Sequence, residues 1–147
     1  MEIAILGLGC FWGPEIKFSK LDGVVKTEVG YCGGNSSETT YKEVCTGTTN
    51  HAEVVKLDFD PKIISYEKIL KFFFEIHDPT TLNSQGPDFG TQYRSEIFYL
   101  NDQQKEISEK VIKEENIKFS EKIVTKTSLV KNYCPAEEYH QKYLEKR

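Results

Sequence analysis

Apolar and polar residues change period several times along the chain, and each change marks the edge of an element. Residues 3–9 form a short apolar run that ends in glycines and predicts a buried strand. Pro14 suits the first turn of a helix, with Ile16, Phe18 and Leu21 on its apolar side and Gly23 stopping it. Residues 24–31 alternate as a strand does, until Gly33-Gly34-Asn35 breaks the pattern. Residues 52–59 alternate again: Val54, Leu57 and Phe59 are interleaved with Glu53, Lys56 and Asp58, and Asp60-Pro61 closes the segment. Ser65 is a good N-cap for a helix carrying Ile69, Leu70, Phe72, Phe73 and Ile76 at helical period. Residues 80–90 are polar and rich in turn formers, a long loop of the kind that often carries function.

The second half repeats the theme. Residues 95–100 predict a strand, and Asn101 or Asp102 caps a helix to about Lys118 with Ile107, Val111 and Ile112 facing inward. Residues 123–130 alternate as a last strand, and residues 135–146 read as helix or coil. Strands and helices mixed in this way predict an α+β fold, a sheet with helices packed on one face. No repeat or linker divides residues 1–147, and 147 residues can bury a core of their own, so one domain is expected.

Composition narrows the class. The chain is 38% hydrophobic and 29% charged, with interleaved charges and a net charge of −4, so no basic stripe suggests nucleic acid. No apolar run reaches the ~20 residues that a membrane span needs. Leu6-Gly7-Leu8-Gly9-Cys10 resembles the end of a lipoprotein signal. However, Glu2 stands where a positive n-region belongs, and residues 3–9 make too short an apolar region. The cytoplasm is the expected location, where cysteines serve chemistry more than scaffolding. Cys10, Cys32, Cys45 and Cys134 include no CxxC. Cys45 with His51, and Cys134 with His140, are too loosely spaced to suggest zinc.

The densest chemical signal is Gly9-Cys10-Phe11-Trp12-Gly13-Pro14-Glu15. It places a thiol between a buried strand and a helix N-terminus, where amide dipoles are expected to lower the Cys10 pKa and raise the nucleophilic thiolate fraction. Phe11 and Trp12, the only tryptophan, offer an aromatic wall for a small apolar group beside the sulfur. The competing reading makes all three core residues at a strand end.

The segment GCFWGPE resembles the catalytic signature of the A-type peptide methionine sulfoxide reductases. The likeness continues through Gly30–Gly34 (GYCGG), Tyr41–Cys45 (YKEVC), Gly47–Val54 (GTTNHAEV), Gly86–Ser95 (GPDFGTQYRS) and Ala136–Leu144 (AEEYHQKYL), in family order over nearly the whole chain. The resemblance implies a ferredoxin-like α/β plait with extended loops and the reduction of methionine S-sulfoxide, free or in proteins, without metal or organic cofactor. It casts Cys10 as nucleophile, Phe11 and Trp12 as the pocket for the substrate methyl, and Glu53 as the acid that protonates the sulfoxide oxygen. Tyr41 and Tyr93 would hydrogen-bond that oxygen, and Asp88 would be a polar group of the same site.

Such chemistry suits these residue types. Sulfoxide oxygen leaves only once protonated, a buried Glu can hold the proton, and phenols can share the developing charge. The product on Cys10 is a sulfenic acid. Taken singly, Glu53 reads as an outward strand residue, Tyr41 and Tyr93 as two of eight tyrosines, and Asp88 as a turn former. Arg94, the only arginine before Arg147, suggests a fixed bidentate structural contact, and His51 and His140 suggest satisfied structural histidines. A one-cysteine peroxidase, or a module that binds oxidised peptides without turnover, would use some of the same features.

Many family members carry resolving cysteines in a Gly-rich tail, whereas this sequence stops three residues after Leu144. The expected route is therefore direct recycling of Cys10 by an external thiol, glutathione with glutaredoxin or a thioredoxin, with Cys32 or Cys134 as internal alternatives. Cys45 occupies a position where members often have a non-catalytic cysteine. Some members carry selenocysteine at the position of Cys10.

Overall fold

The computed structural model describes residues 1–146. Strand β1 (Glu2–Leu8) leads to helix α1 (Trp12–Ser19), β2 (Val24–Cys32), the single turn α2 (Tyr41–Val44) and β3 (Ala52–Phe59). Helix α3 (Tyr66–Glu75) follows, then a small hairpin of β4 (Ser84–Gln85) and β5 (Asp88–Phe89), a 3-10 turn (Thr91–Tyr93) and β6 (Ser95–Tyr99). Helix α4 (Asp102–Lys118), β7 (Lys126–Leu129), β8 (Cys134–Pro135) and a 3-10 turn (Glu138–His140) complete the order.

The main sheet runs β7-β6-β1-β3-β2-β8. Its pairings are antiparallel except β6 with β7, so the sheet is mixed. Strand pleating sends alternate side chains to opposite faces. Leu6, Tyr31, Val55, Leu57 and Ile97 pack on one face against Phe18 of α1, Ile69, Leu70 and Phe73 of α3 and Val111 of α4. Ile5, Cys32, Ala52, Val54 and Phe98 fill a second cluster on the other face, beside Val130 and Tyr133. The α+β layering expected from the sequence is therefore present. No helix among the described residues is long and apolar enough to cross a membrane.

Local signals set the element ends. Ser65 accepts from the Lys68 amide (3.1 Å) and Asn101 from the Gln104 amide (2.9 Å), each capping its helix. Gly23 takes φ +100° after α1, the left-handed backbone that only glycine adopts without strain. Helix α4 turns Val111 into the core with Ile107 and Ile112 packed against it, as expected, and buries the polar Gln104, Ser108 and Glu115 besides. Gln104 bridges the Leu100 amide and the Ile3 carbonyl, so a polar residue joins the helix to the sheet. The strand expected over 123–130 shortens to four residues. The 135–146 segment forms a 3-10 turn (Glu138–His140) and further turns rather than an α-helix, and side-chain contacts tie it to the fold.

Candidate active site

Cys10 follows β1, one residue after Gly9. Gly9 takes φ +99°, and a Cβ there would lie 2.9 Å from the Gln85 side chain. Glycine thus lets the β4–β5 hairpin close against the turn that carries Cys10, and the hairpin brings Asp88 with it. Burial pushes the Cys10 thiol up to about 11, the Trp12 amide opposes the shift, and the nearby Glu53 and Asp88 carboxylates add to it. The sequence expectation of a lowered Cys10 pKa is corrected here. The helix N-terminus supplies one amide, but desolvation outweighs it.

Glu53 is 1% exposed and points to the helical face of the sheet, opposite Tyr31 in the β2–β3 register. The Phe11 amide donates to its Oε1 (3.3 Å) and the Gln92 amide nitrogen to its Oε2 (2.8 Å). Burial raises its carboxyl to about 7 despite those two bonds, and the Asp88 charge raises it further. An outward strand position is excluded.

Burial, reinforced by Glu53, Asp88, Cys45 and Cys10 in turn, pushes the Tyr93 phenol up to about 12. Tyr41 is raised above the usual phenol range by burial, reinforced by the nearby Cys45 thiol and Glu53 carboxyl. Cys10, Glu53, Asp88, Tyr41 and Tyr93 therefore form one electrostatic cluster, with Cys45 at its margin.

The aromatic wall has two parts. Phe11 is 1% exposed, and its ring meets those of Tyr31 and His140 at centroid distances of 5.8 and 5.2 Å. Trp12 is half-buried, stacks on Tyr143 at 3.8 Å and donates its indole N–H to His140 Nδ1 (3.0 Å). With Nδ1 accepting, the His140 proton lies on Nε2, which has no hydrogen-bond partner among the described residues although His140 is 2% exposed. His140 is thus not the satisfied histidine expected from the sequence.

His51 is likewise only half satisfied, its Nδ1 having no hydrogen-bond partner among the described residues, but its place is structural. It is 1% exposed, bonds the Ser36 carbonyl (2.8 Å) and lies against Gly34, where a Cβ would come within 2.1 Å of the ring. Arg94 is fixed, but as a fork over three partners rather than a bidentate pair. It donates to Glu96 Oε1 (2.6 Å), the Thr91 carbonyl (2.9 Å) and the Asn50 carbonyl (3.1 Å), and so ties the 3-10 turn to the end of the β2–β3 connection.

Sequence reading assigned no role to Gln92, which holds Glu53, or to Glu137, which accepts from the Tyr31 hydroxyl (2.8 Å) and the Tyr41 amide (2.9 Å). Both lie in the motif segments GTQYRS and AEEYH, the only signal that marked them. Cys32 is fully buried on the opposite face of the sheet from Glu53 and bonds the Lys131 carbonyl. It cannot reach Cys10 without crossing the sheet. A thiol, a carboxyl that titrates near neutrality and two phenols in one cluster can attack an electrophilic sulfur and protonate the oxygen it carries.

Comparison with known proteins agrees. The pattern of the family described as peptide methionine sulfoxide reductase matches residues 2–147. The Pelagibacter ubique protein peptide methionine sulfoxide reductase MsrA is 84% identical over 147 residues, the full length of both chains. The crystal structure of Mxr1 from Saccharomyces cerevisiae in reduced form superposes with a TM-score of 0.96 at 44% identity, over 99% of this chain and 85% of that one. The same yeast protein in complex with Trx2 superposes with a TM-score of 0.70 at 29% identity, over 97% and 84%. With its whole length matched and its cluster of thiol, carboxyl and phenols in place, the chain belongs to the peptide methionine sulfoxide reductase family.

Proposed function

We propose that Cys10 is the nucleophile and Glu53 the proton donor in reduction of methionine S-sulfoxide, free or in peptides and proteins, to methionine. The oxidoreductase activity on peptide methionine sulfoxide follows from the family; the residue roles are inferred from the geometry. The carrying observation is the Glu53 carboxyl, buried beside the Cys10 turn and raised to about 7, so that it can hold a proton near neutral pH. Cys10 sulfur attacks the sulfoxide, Glu53 protonates its oxygen, and Tyr41 and Tyr93 donate to that oxygen as charge develops. The oxygen ends on Cys10 as a sulfenic acid, and methionine leaves. The proton that leaves the Cys10 thiol is the one that arrives on the oxygen, so no net proton is consumed. Asp88 keeps the surroundings negative, which favours the protonated form of Glu53.

The substrate methyl packs against Phe11 and Trp12. An external thiol, either thioredoxin or glutathione with glutaredoxin, returns Cys10 to its thiol. The complex of the yeast relative with Trx2 supports the former. Four free cysteines support a reducing location, the cytoplasm. The order β6-β1-β3-β2, with α1 and α3 on one face, supports reading these four strands as a ferredoxin-like plait.

The test is turnover of the separated sulfoxide epimers with dithiothreitol. Only the S epimer should yield methionine, because a chiral sulfur must present its methyl to Phe11 and Trp12 and its oxygen to Glu53 together. Cys10→Ser should abolish the reaction while keeping the fold. Comparable turnover of both epimers, or activity in Cys10→Ser, would defeat the assignment.

A further inference from the structure

We infer that Gln92 is a positioning residue that keeps the Glu53 proton on Oε1, the carboxyl oxygen facing the Cys10 turn. The inference rests on the reading of Glu53 as the acid and says what aims it. A neutral carboxyl has one proton and two oxygens to carry it. On Oε1 the proton lies beside the peptide bond that joins Cys10 to Phe11. On Oε2 it would point into the protein, towards Gln92, and be lost to the substrate.

The two oxygens meet unequal donors. The Phe11 amide reaches Oε1 at 3.3 Å, a long bond, whereas Gln92 Nε2 reaches Oε2 at 2.8 Å. A short bond from a firm donor favours the oxygen that bears no proton, because that oxygen is the better acceptor. Oε2 is thereby held as the carbonyl, and the proton falls to Oε1.

The Gln92 amide cannot readily turn over. Its Nε2 also lies 3.5 Å from Cys45 Sγ, so both of its hydrogens have acceptors. Reversal would set its carbonyl oxygen against Glu53 Oε2. Gln92 is 5% exposed, in the middle of the 3-10 turn Thr91–Tyr93. Arg94 closes that turn on the Thr91 carbonyl and fastens it to the Asn50 carbonyl, three residues before Glu53. Amide and carboxyl are thus carried by segments locked to each other. When the proton passes from Oε1 to the sulfoxide oxygen, the charge left on the carboxylate meets a donor already in place.

The same bond lowers the Glu53 pKa against the rise from burial, which lets placement be separated from affinity. Removing the donor strengthens proton binding by Glu53 and so enlarges the population with neutral Glu53 and Cys10 thiolate. If Gln92 acted on affinity alone, its loss would speed the first turnover; if it places the proton, its loss slows it. The experiment measures first-turnover methionine formation from methionine S-sulfoxide between pH 5 and 9 in the unmodified protein, Gln92→Met and Gln92→Glu. Alkylation of Cys10 by iodoacetamide, followed by peptide mass, reports the thiolate. In Gln92→Met the break near 7 should move up by about one unit. The plateau above it should fall by at least about tenfold, with Cys10 alkylation little changed. Gln92→Glu, of the same shape but acidic, should move the break further. A break that stays in place, or a plateau unchanged or raised, would overturn the inference. Infrared difference spectra of the unmodified protein against Glu53→Gln, recorded below the break, test it without turnover. The Glu53 carbonyl band should be that of a strongly hydrogen-bonded carboxyl and should rise in wavenumber in Gln92→Met. A free-carbonyl band in the unmodified protein would sink the inference even if no Gln92 variant folds. An unslowed first turnover in Glu53→Gln would overturn the acid role of Glu53 itself, and this inference with it.

Discussion

Cys10 and Glu53 titrate in the reverse of the order that their roles suggest. The proposed acid sits at about 7 and the proposed nucleophile at about 11, so between those values the pair shares one proton. The reactive arrangement, neutral Glu53 with Cys10 thiolate, is one way of holding that proton and is a constant fraction of the enzyme across the interval. Below 7 a second proton binds and the reactive fraction falls tenfold per unit. The first-turnover rate should therefore rise with pH up to about 7 and then level off, rather than decline as a lone acid would require. Glu53→Gln should slow that step by ~10²–10⁴, the usual contribution of a general acid, and should remove the break near 7. Stopped-flow formation of methionine from pH 5 to 9 checks both. A rate that falls steadily above 7 in the unmodified protein would show that the proton is not shared.

The C-terminal segment after β8 is held by side chains, and Glu15 of α1 is the chief anchor. It is 2% exposed and accepts from the Thr27 hydroxyl (2.9 Å) and the Lys142 amide (2.7 Å). Gln141 adds bonds to the amide and carbonyl of Val29 (both 2.9 Å), and Glu137 joins Tyr31 to Tyr41. Together these contacts bring His140 and Tyr143 onto Trp12. Glu15→Ala leaves the buried Thr27 hydroxyl unpaired, at a cost of about 1–3 kcal/mol, and releases the part-buried Lys142 amide. It should also loosen the segment, raising KM for methionine sulfoxide more than it lowers kcat. Trp12 is the sole tryptophan, so its fluorescence reports the change directly. Emission should shift to the red in Glu15→Ala, and an unshifted spectrum with unaltered KM would show that the segment docks without this anchor.

For the whole molecule, the carboxyl proposed as the acid works against the fold. Glu53 has a folded pKa raised from 4.5 to about 7, so its neutral form is favoured on folding. Relative to acid conditions, stability is lost as pH rises from about 4.5 through 7, by about 3 kcal/mol in total. His77, held between the Phe73 carbonyl (2.6 Å) and Ser95 Oγ (2.8 Å), is lowered by burial from 6.5 to about 4. Its contribution has the opposite sign: it is complete above 6.5 and lost as pH falls towards 4. The two nearly cancel between pH 4.5 and 6.5, which keeps the fold indifferent to pH where the site titrates. Glu53→Gln removes one side of this balance. Its stability advantage over the unmodified protein should grow from near zero at pH 4.5 to about 3 kcal/mol at pH 7.5 in urea unfolding. A difference independent of pH would mean that the Glu53 carboxyl is solvated.

The sequence by itself determined most of the elements, because hydrophobic period and caps act over a few residues. The limits of β3, the Ser65 cap and the start of α4 at Asn101 were all legible in this way. Motif order likewise identified the family and marked Cys10, Glu53, Tyr41, Tyr93 and Asp88 before any packing was known. Likeness along the whole chain, rather than the surroundings of Cys10, separates this protein from a one-cysteine peroxidase or a passive binding module. Only the tertiary structure decided the electrostatics. A helix N-terminus argues for an acidic thiol, yet burial beside two carboxylates makes Cys10 a reluctant one. It also decided which cysteines lie near one another. Strand order puts Cys134 far from Cys10, and pleating turns Cys32 to the opposite face, while a short exposed helix brings Cys45 to the Gln92 that holds Glu53. Desolvation and proximity depend on residues distant in sequence, so no local pattern encodes them.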